Sequence, residues 1–150
     1  MKFSGFKDII AFAVENEESA IKAYGDMSKK TQLPGLKEML LELQEEEKKH
    51  KKLLQGLTRK KVESLAVKEV TDLKISDYLV EEPPSSEMTF QDLLIFAAKK
   101  EQKAVELYST LKDSVDDLEL KKLFGFLISQ ERSHKLKLEK EYDKHVLEED

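Results

Sequence analysis

Apolar residues recur along most of the chain every three or four positions, which is the spacing that keeps one face of an α-helix apolar. Proline and glycine are rare, with three and five residues among 150, and few segments alternate with the period of a β-strand. The pattern therefore predicts an all-α protein. Its four helices are expected at about residues 4–30, 34–55, 89–112 and 116–144.

Local capping signals support these helix boundaries. Ser4 is a candidate N-cap for the first helix, and Pro34 suits the first turn of the second. Thr89 and Asp92 have the spacing of a capping box at the start of the third helix. The fourth helix is expected to begin at Asp116.

Two short connections and one long connection organise the four helices. Short connections force antiparallel neighbours, so helical hairpins are expected at about 4–56 and about 88–145. The connection between them, about 57–87, contains Pro83–Pro84 and is long enough to cross from one end of a bundle to the other. The predicted fold is a single-domain four-helix bundle over residues 1–150, with two hairpins joined by this crossover.

The two predicted hairpins are similar in sequence. A shift of 84 residues, without gaps, places residues 5–55 on residues 89–139. The identical pairs include Phe12/Phe96, Glu17/Glu101, Tyr24/Tyr108, Glu47/Glu131, His50/His134 and Leu54/Leu138. This agreement predicts an internal repeat whose halves are related by a pseudo-twofold axis. Accidental similarity between two amphipathic hairpins is the alternative.

Each helix carries one stripe of expected core residues, and each stripe is apolar except at its middle. The stripes of the first and third helices are Phe6, Ile10, Ala13, Glu17, Ala20, Tyr24, Met27 and Phe90, Leu94, Ala97, Glu101, Ala104, Tyr108, Leu111. Those of the second and fourth helices are Leu36, Leu40, Leu43, Glu47, His50, Leu54 and Leu120, Phe124, Leu127, Glu131, His134, Leu138. One Glu interrupts each stripe, and in the second and fourth helices a His follows it by one turn.

Four carboxylates on core stripes need a counter-charge, because burying an ionised carboxylate is costly and the four repel one another. Two imidazolium groups cannot balance them, whereas two divalent cations can. A Glu and a His three positions apart project from one helix face and can reach the same ion. The sequence therefore predicts a dinuclear metal site with the ligands Glu17, Glu47, His50, Glu101, Glu131 and His134. The alternative is a salt-bridged bundle in which these Glu side chains lie at the interface edge and reach water.

For other polar residues, a functional role is weighed against an ordinary core or surface position. Tyr24 and Tyr108 lie two turns beyond Glu17 and Glu101, where they can hydrogen-bond the ligands or simply fill the core. His145 has no Glu three positions earlier and is expected to be a solvated surface residue. A basic run is expected to face solvent, with an anion or partner site as the alternative: Lys48, Lys49, Lys51, Lys52, Arg59, Lys60 and Lys61.

Composition and charge exclude several classes of protein. The chain has no Cys, which rules out disulfides, thiolate metal sites and cysteine catalysis. Its net charge of −5 argues against general nucleic-acid binding. No apolar run approaches the ~18 residues of a membrane span, and no secretory signal is visible. We therefore expect a cytoplasmic protein that binds neither nucleic acid nor a membrane.

These motifs resemble the rubrerythrin-type branch of the ferritin-like di-iron carboxylate superfamily. The resemblance covers nearly the whole chain and rests on four motifs: Glu17–x–x–Ala20–x–x–x–Tyr24, Glu47–x–x–His50, Glu101–x–x–Ala104–x–x–x–Tyr108 and Glu131–x–x–His134. It implies a ferritin-like bundle that binds two iron ions bridged by Glu47 and Glu131. It also implies that the remaining ligands are one terminal carboxylate and one imidazole per iron, from Glu17, Glu101, His50 and His134.

The sequence departs from the family pattern in two ways. Rubrerythrins commonly append a rubredoxin domain, for which this chain has no Cys. They also carry an additional Glu ligand on the third helix, about one turn from the terminal Glu, where this chain has Ala98 and Ala104 flanking Glu101. The resemblance therefore supports metal binding by these residues more strongly than it supports peroxidase activity.

The ligand count implies a reactive centre, because about four or five protein donor atoms per ion leave positions open on a six-coordinate metal. Mixed carboxylate and imidazole ligands suit Fe or Mn and do not exclude Zn. The expected activity is reduction of hydrogen peroxide or O₂ at two iron ions, with electrons from an external donor protein. A ferroxidase or iron-storage module and a non-metal interaction protein are the alternatives. By resemblance we also expect a homodimer, in which the crossover permits exchange of a hairpin.

Overall fold

The computed structural model describes residues 6–57 and 89–149, and these form four α-helices. The helices are α1 (Phe6–Lys30), α2 (Pro34–Gln55), α3 (Phe90–Ser114) and α4 (Leu118–Glu149). This part of the chain contains no strand, which confirms the all-α prediction. None of its helices is long and apolar enough to span a membrane. The expected cap at Ser4 and residues 58–87 of the expected crossover lie outside the described residues.

The N-terminus of α3 has the predicted capping box. The side-chain oxygen of Thr89 accepts a hydrogen bond from the backbone N–H of Asp92 at 3.1 Å, and the Asp92 carboxylate accepts one from the Thr89 N–H at 3.2 Å. These bonds satisfy backbone donors that have no partner inside the helix. Pro34 lies in the first turn of α2, also as predicted.

The facing ends of α3 and α4 differ from the prediction. α4 begins two residues later than Asp116, because the carboxylate of Asp117 accepts a backbone N–H of the first turn at 3.0 Å and so caps the helix. α3 extends to Ser114 and ends where Val115 becomes extended and buries its side chain in the core. α4 also continues past residue 144, since neither Gly nor Pro interrupts the chain there.

The helices pair as two antiparallel hairpins. α1 packs along α2 and α3 packs along α4, each pair being joined by a connection of three residues. Contacts between α1 and α3 join the hairpins on one side. On the other side, α2 and α4 approach closely enough for Glu47 to contact His134. The described helices therefore form the four-helix bundle that the sequence predicted.

The buried interior consists of two apolar clusters, one toward each end of the bundle. The first contains Ile9, Ile10, Phe12, Ala13, Leu54, Ala104, Val105, Leu107, Tyr108, Leu111, Val115, Leu120, Phe124, Leu127 and Ile128. The second contains Ala20, Tyr24, Met27, Leu36, Leu40, Leu43, Leu93, Leu94, Ala97 and Leu138. Every member of the second cluster is the 84-residue counterpart of a member of the first, which supports the predicted pseudo-twofold repeat.

The predicted stripes describe the buried helix faces closely. On α2 the buried residues are those of the stripe: Leu36, Leu40, Leu43, Glu47, His50 and Leu54. The stripes of α1, α3 and α4 are also buried where their side chains are described, except that Phe90 is only partly buried. The middle of each stripe, where the Glu lies, falls between the two apolar clusters.

Candidate metal centre

The six predicted ligands lie together in the middle of the bundle. Each helix contributes one Glu, and α2 and α4 each add a His one turn later on the same face. None of the six is more than 2% exposed: Glu17, Glu47, His50, Glu101, Glu131 and His134. The alternative in which these Glu side chains reach water at an interface edge is therefore wrong.

The six side chains form two overlapping groups of potential ligand atoms. Within each group, one atom per residue lies within 4.8 Å of the corresponding atoms of the other three. The groups are Glu17, Glu47, His50, Glu131 and Glu47, Glu101, Glu131, His134. Glu47 and Glu131 belong to both groups. Each group is completed by the Glu and the His of a single hairpin.

Both imidazoles turn the same ring nitrogen toward the carboxylates. Nδ1 of His50 lies 2.8, 3.6 and 3.7 Å from oxygens of Glu131, Glu47 and Glu17, respectively. Nδ1 of His134 lies 2.6, 3.8 and 3.9 Å from oxygens of Glu47, Glu101 and Glu131, respectively. The two rings stack, with centroids 5.8 Å apart. Nδ1 is therefore the nitrogen that each His would offer to a metal ion.

The cluster has polar atoms without hydrogen-bond partners. Within the described residues, the buried atoms left without such a partner are Glu17 Oε2, Glu47 Oε2, Glu101 Oε2, Glu131 Oε1 and both ring nitrogens of His50. Buried polar groups are normally satisfied, because an unsatisfied group costs about 1–3 kcal/mol. One free oxygen on each of four carboxylates is the donor set that divalent cations require. The residues therefore fit a pair of metal ions.

Burial and mutual repulsion make the cluster unfavourable without a counter-charge. Burial raises the pKa of Glu47 and of Glu131 well above the ordinary range, and the nearby Glu101 carboxylate raises both further. Burial acts in the same direction on Glu101, but hydrogen bonding outweighs it and lowers the pKa of that carboxyl. Burial alone would lower the pKa of His50, yet its contact with Glu131 and other carboxylates raises the pKa to about 10. Without metal, the raised pKa values favour protonation of Glu47, Glu131 and His50, which lowers the negative charge of the cluster.

Two buried tyrosines hold the terminal carboxylates. Tyr24 donates a hydrogen bond of 2.7 Å to Oε1 of Glu101, and Tyr108 donates one of 2.5 Å to Oε1 of Glu17. Burial, followed by the negative charge of the nearby Glu side chains, raises the pKa of both phenols, so they remain donors. In each Glu the other oxygen is left facing the cluster. The tyrosines therefore orient ligands and do not merely fill the core.

A narrow cavity reaches the cluster from the side of α1 and α3. Its lining combines four cluster carboxylates with small and polar residues: Glu17, Glu47, Glu101, Glu131, Ala20, Ala104, Asn16 and Lys100. Ala20 and Ala104 are counterparts in the repeat, and their small side chains leave the space beside the carboxylates. The histidines lie away from this side. The cavity therefore places a small space directly beside the carboxylates, between the two alanines.

The sequence reasoning missed one residue that contacts the cluster. Glu46 on α2 reaches Nε2 of His134, the ring nitrogen that faces away from the four core carboxylates. Glu46 lies beside the stripe and not on it, so helical periodicity gave no signal for it. Its partner is on α4, and only the packing of α2 against α4 reveals the contact.

The residues expected at the surface are placed consistently with that expectation where they are described. Lys48 pairs with Glu45 at 3.0 Å, and Lys51 pairs with Glu18 at 3.3 Å. Arg59, Lys60 and Lys61 lie outside the described residues. His145 is part of α4, eleven residues beyond His134. At about 1.5 Å of rise per residue it is too far along the helix axis to join the cluster.

Comparison with known proteins agrees with this geometry. The sequence model of the Rubrerythrin family matches residues 8–145. The chain belongs to the rubrerythrin family. A solved structure of a hypothetical protein from Pyrococcus furiosus is similar over 90% of this chain and 86% of that chain, with 32% sequence identity and a TM-score of 0.73. No curated protein sequence matches the chain.

Family membership places the bundle in the ferritin-like class, as the resemblance implied. Rubrerythrins typically bind two iron ions, and the buried cluster of four Glu and two His is compatible with such a site. The departure at the third helix is also visible in the structure. One turn beyond Glu101, the chain has the buried Ala104, which lines the cavity beside the four carboxylates.

Proposed function

We propose that this protein is a non-haem di-iron oxidoreductase of rubrerythrin type, which reduces hydrogen peroxide or O₂ with electrons from an external donor protein. The observation that carries the proposal is the pair of overlapping ligand groups that share Glu47 and Glu131. A pair of shared carboxylates holds two ions close together, and two adjacent one-electron centres suit a two-electron reduction. Mn or Zn could occupy the same donor set.

The roles of the side chains follow from their positions. Glu17 and His50 would complete one metal position, while Glu101 and His134 would complete the other. The buried surroundings keep the terminal ligands in place and exclude bulk water. When bound, a pair of Fe(II) ions would supply the two electrons that, with two protons, convert hydrogen peroxide to two molecules of water.

The side of the cluster that faces α1 and α3 is the place for the oxidant. The cavity between Ala20 and Ala104 is lined by all four cluster carboxylates, so an oxidant held there would lie beside the ions that they would bind. A cavity this narrow suits a small oxidant such as peroxide or O₂ better than a larger substrate. The described helices contain no Cys to hold an iron–sulfur centre, and in this proposal an external donor protein supplies the electrons that would restore Fe(II).

The proposal is tested by measuring metal and turnover together. Freshly purified protein should contain about two metal ions per chain, and an anaerobic Fe(II) titration should saturate at the same ratio. Addition of peroxide should then oxidise the bound iron. Replacing Glu47 or Glu131 with Ala should abolish both iron binding and peroxide turnover. Glu42→Ala, at an exposed position of α2, is the matched control and should change neither.

Persistence of iron binding and turnover in the Glu47→Ala and Glu131→Ala variants would refute the assignment. Absence of bound metal after purification, together with no thermal shift on adding Fe(II) or Mn(II), would instead favour the non-metal interaction protein. Metal linkage should raise stability if the ions bind the folded state, so the thermal shift discriminates between these functions.

A ferroxidase or iron-storage module is the second candidate, favoured by Ala104. Without a carboxylate at this position, the ligand set is the six-residue pattern that ferritins share. Iron loading separates the two functions. Saturation at about two ions per chain favours the catalytic centre, whereas continued loading into a mineral inside a large assembly favours storage.

A further inference from the structure

The two histidines of the cluster differ on the side that faces away from the carboxylates. Nε2 of His134 contacts Oε2 of Glu46, so both of its ring nitrogens have partners. Nε2 of His50 is buried and has no hydrogen-bond partner among the described residues. An edge of the Phe126 ring lies against His50 instead, with ring centroids 6.1 Å apart and planes at 85°.

The repeat shows why the two sides differ. The 84-residue counterpart of Glu46 is Gln130, while His50 and His134 are counterparts of each other. Gln130 and His50 line the same groove between α2 and α4, yet no hydrogen bond joins them within the described structure. The sequence therefore breaks the pseudo-twofold symmetry at the position where a counterpart of Glu46 would lie on the His50 side.

We propose that Glu46 is a positioning residue for His134, and that it makes the metal position formed with Glu101 and His134 bind more tightly than the position formed with Glu17 and His50. This inference rests on the proposed metal function. It adds that the two ions of a symmetric-looking centre are held unequally. The tighter position would fill first, and the weaker one would be the position that exchanges its ion.

The physical reason lies in the imidazole. A His that binds metal through Nδ1 carries its proton on Nε2. A carboxylate that accepts a hydrogen bond from this Nε2–H fixes the ring orientation and makes Nδ1 a stronger ligand. Glu46 supplies that acceptor for His134. Among the described residues, the Nε2–H of His50 would be a buried donor without an acceptor, which would weaken the metal position that His50 completes.

The test is a titration of the full chain with Co(II) under anaerobic conditions. Calorimetry and the absorption bands of bound Co(II) monitor the binding. The unaltered protein should bind two Co(II) per chain in two steps whose affinities differ about tenfold or more. Glu46→Gln should weaken the tighter step by about 10- to 100-fold, the range that loss of such supporting groups costs. The weaker step should remain unchanged.

The chain offers a matched control and a reciprocal variant. Glu45→Gln removes the same charge from the neighbouring position of α2, where the side chain is exposed and pairs with Lys48, and it should leave both steps unchanged. Gln130→Glu places a carboxylate at the counterpart of Glu46, in the groove that His50 also lines, and should strengthen the weaker step. This variant tests the inference independently of any effect of Glu46→Gln on folding.

Two equal binding steps in the unaltered protein would overturn the inference and leave the proposed function standing. An equal loss in Glu45→Gln and Glu46→Gln would also overturn it, since the effect would then be one of net charge. A protein that binds no Co(II), or that binds it without Glu47, would overturn the inference and the proposed metal function together.

Discussion

Tyr24 on α1 donates its hydrogen bond to Glu101 on α3, a residue of the opposite hairpin. Its counterpart Tyr108 does the same in the other direction, to Glu17. The spacing along the sequence relates each Tyr to the Glu of its own helix, two turns away. Because α1 packs antiparallel against α3, each Tyr instead lies beside the Glu of the other helix and bonds to it. Each half of the repeat therefore orients a ligand of the other half.

Removing either phenol should loosen one terminal carboxylate. Tyr24→Phe leaves Oε1 of Glu101 buried without its donor, so the free energy of unfolding of the metal-free protein should fall by about 1–3 kcal/mol. Metal affinity should fall as well, because the carboxylate is no longer held in one orientation. Urea denaturation and Co(II) titration measure the two effects.

Tyr142→Phe, in a partly buried residue at the edge of the second cluster, is the control, and a loss as large in that variant would contradict the prediction.

Neutralising a bridging carboxylate should have opposite effects with and without metal. In the metal-free protein, burial among other carboxylates raises the pKa of Glu47, so keeping this carboxyl ionised or protonating it in the folded state costs free energy that a neutral Gln avoids; Glu47→Gln should therefore raise the free energy of unfolding by about 1–2 kcal/mol. Metal at about 100 times its dissociation constant should stabilise the unaltered protein by about 2.7 kcal/mol and the variant far less. Thermal unfolding in chelator measures the stability of the metal-free protein, and unfolding in Mn(II) measures the stabilisation by metal.

The matched control for this reversal is Glu42→Gln, at an exposed position of the same helix. It should leave the unfolding free energy nearly unchanged in both conditions, since exposed charges contribute little. A Glu47→Gln protein that is less stable than the unaltered one in chelator would show that the carboxylates do not repel one another in the folded state.

The helices, the core and the clustering of the six candidate ligands could be predicted because each leaves a periodic signal. A lone Glu on an otherwise apolar stripe is conspicuous, and its repetition at Glu17 and Glu101 makes accident a poor explanation. Burial of the six ligands then follows from the same spacing that buries the neighbouring leucines. Periodicity reports which face of a helix is buried, and the chemistry of this site lies on that face.

Contacts between elements could not be predicted in the same way. Glu46 lies beside the stripe, and its partner His134 is 88 residues away on another helix, so no spacing along the chain marks the pair. The start of α4 at Leu118 was decided by which of two adjacent carboxylates, Asp116 or Asp117, reaches a backbone N–H of the first turn. The first detail depends on how two helices pack and the second on the conformation of the short connection before α4, and the hydrophobic pattern of a single helix contains neither.

The metal-free protein should lose stability as the pH rises above neutrality. The pKa of His50 is raised from 6.5 to about 10, so the folded state keeps a proton that the unfolded chain releases above about pH 6.5. This stabilisation is complete below about pH 6.5 and is lost as the pH approaches about 10. The raised pKa values of Glu47 and Glu131 act in the same direction above about pH 4.5. The lowered pKa of Glu101 acts oppositely, and its contribution is lost as the pH falls through the acid range.

Urea midpoints in the presence of a chelator, measured between about pH 6.5 and about pH 10, give the size of this loss. His50→Gln should flatten the dependence over that window because it removes a group whose pKa is raised from 6.5 in the unfolded chain to about 10 in the folded protein. Substituting the exposed Lys48 with Gln should leave the dependence as it is. Stability that rises with pH over this window would contradict the assignment.

Filling the cavity between α1 and α3 should separate metal binding from reaction with oxidant. Ala104→Val adds two methyl groups at the wall of the cavity beside the open side of the metal positions, without altering a ligand. We expect the variant to bind two Fe(II) per chain and to oxidise them with peroxide at least about tenfold more slowly, at a cost in stability of about 1–3 kcal/mol from crowding. Ala98→Val is the control, because Ala98 lines a different groove between α3 and α4. Stopped-flow oxidation of the Fe(II)-loaded proteins measures the rates, and an unchanged rate in Ala104→Val would place the path of the oxidant elsewhere.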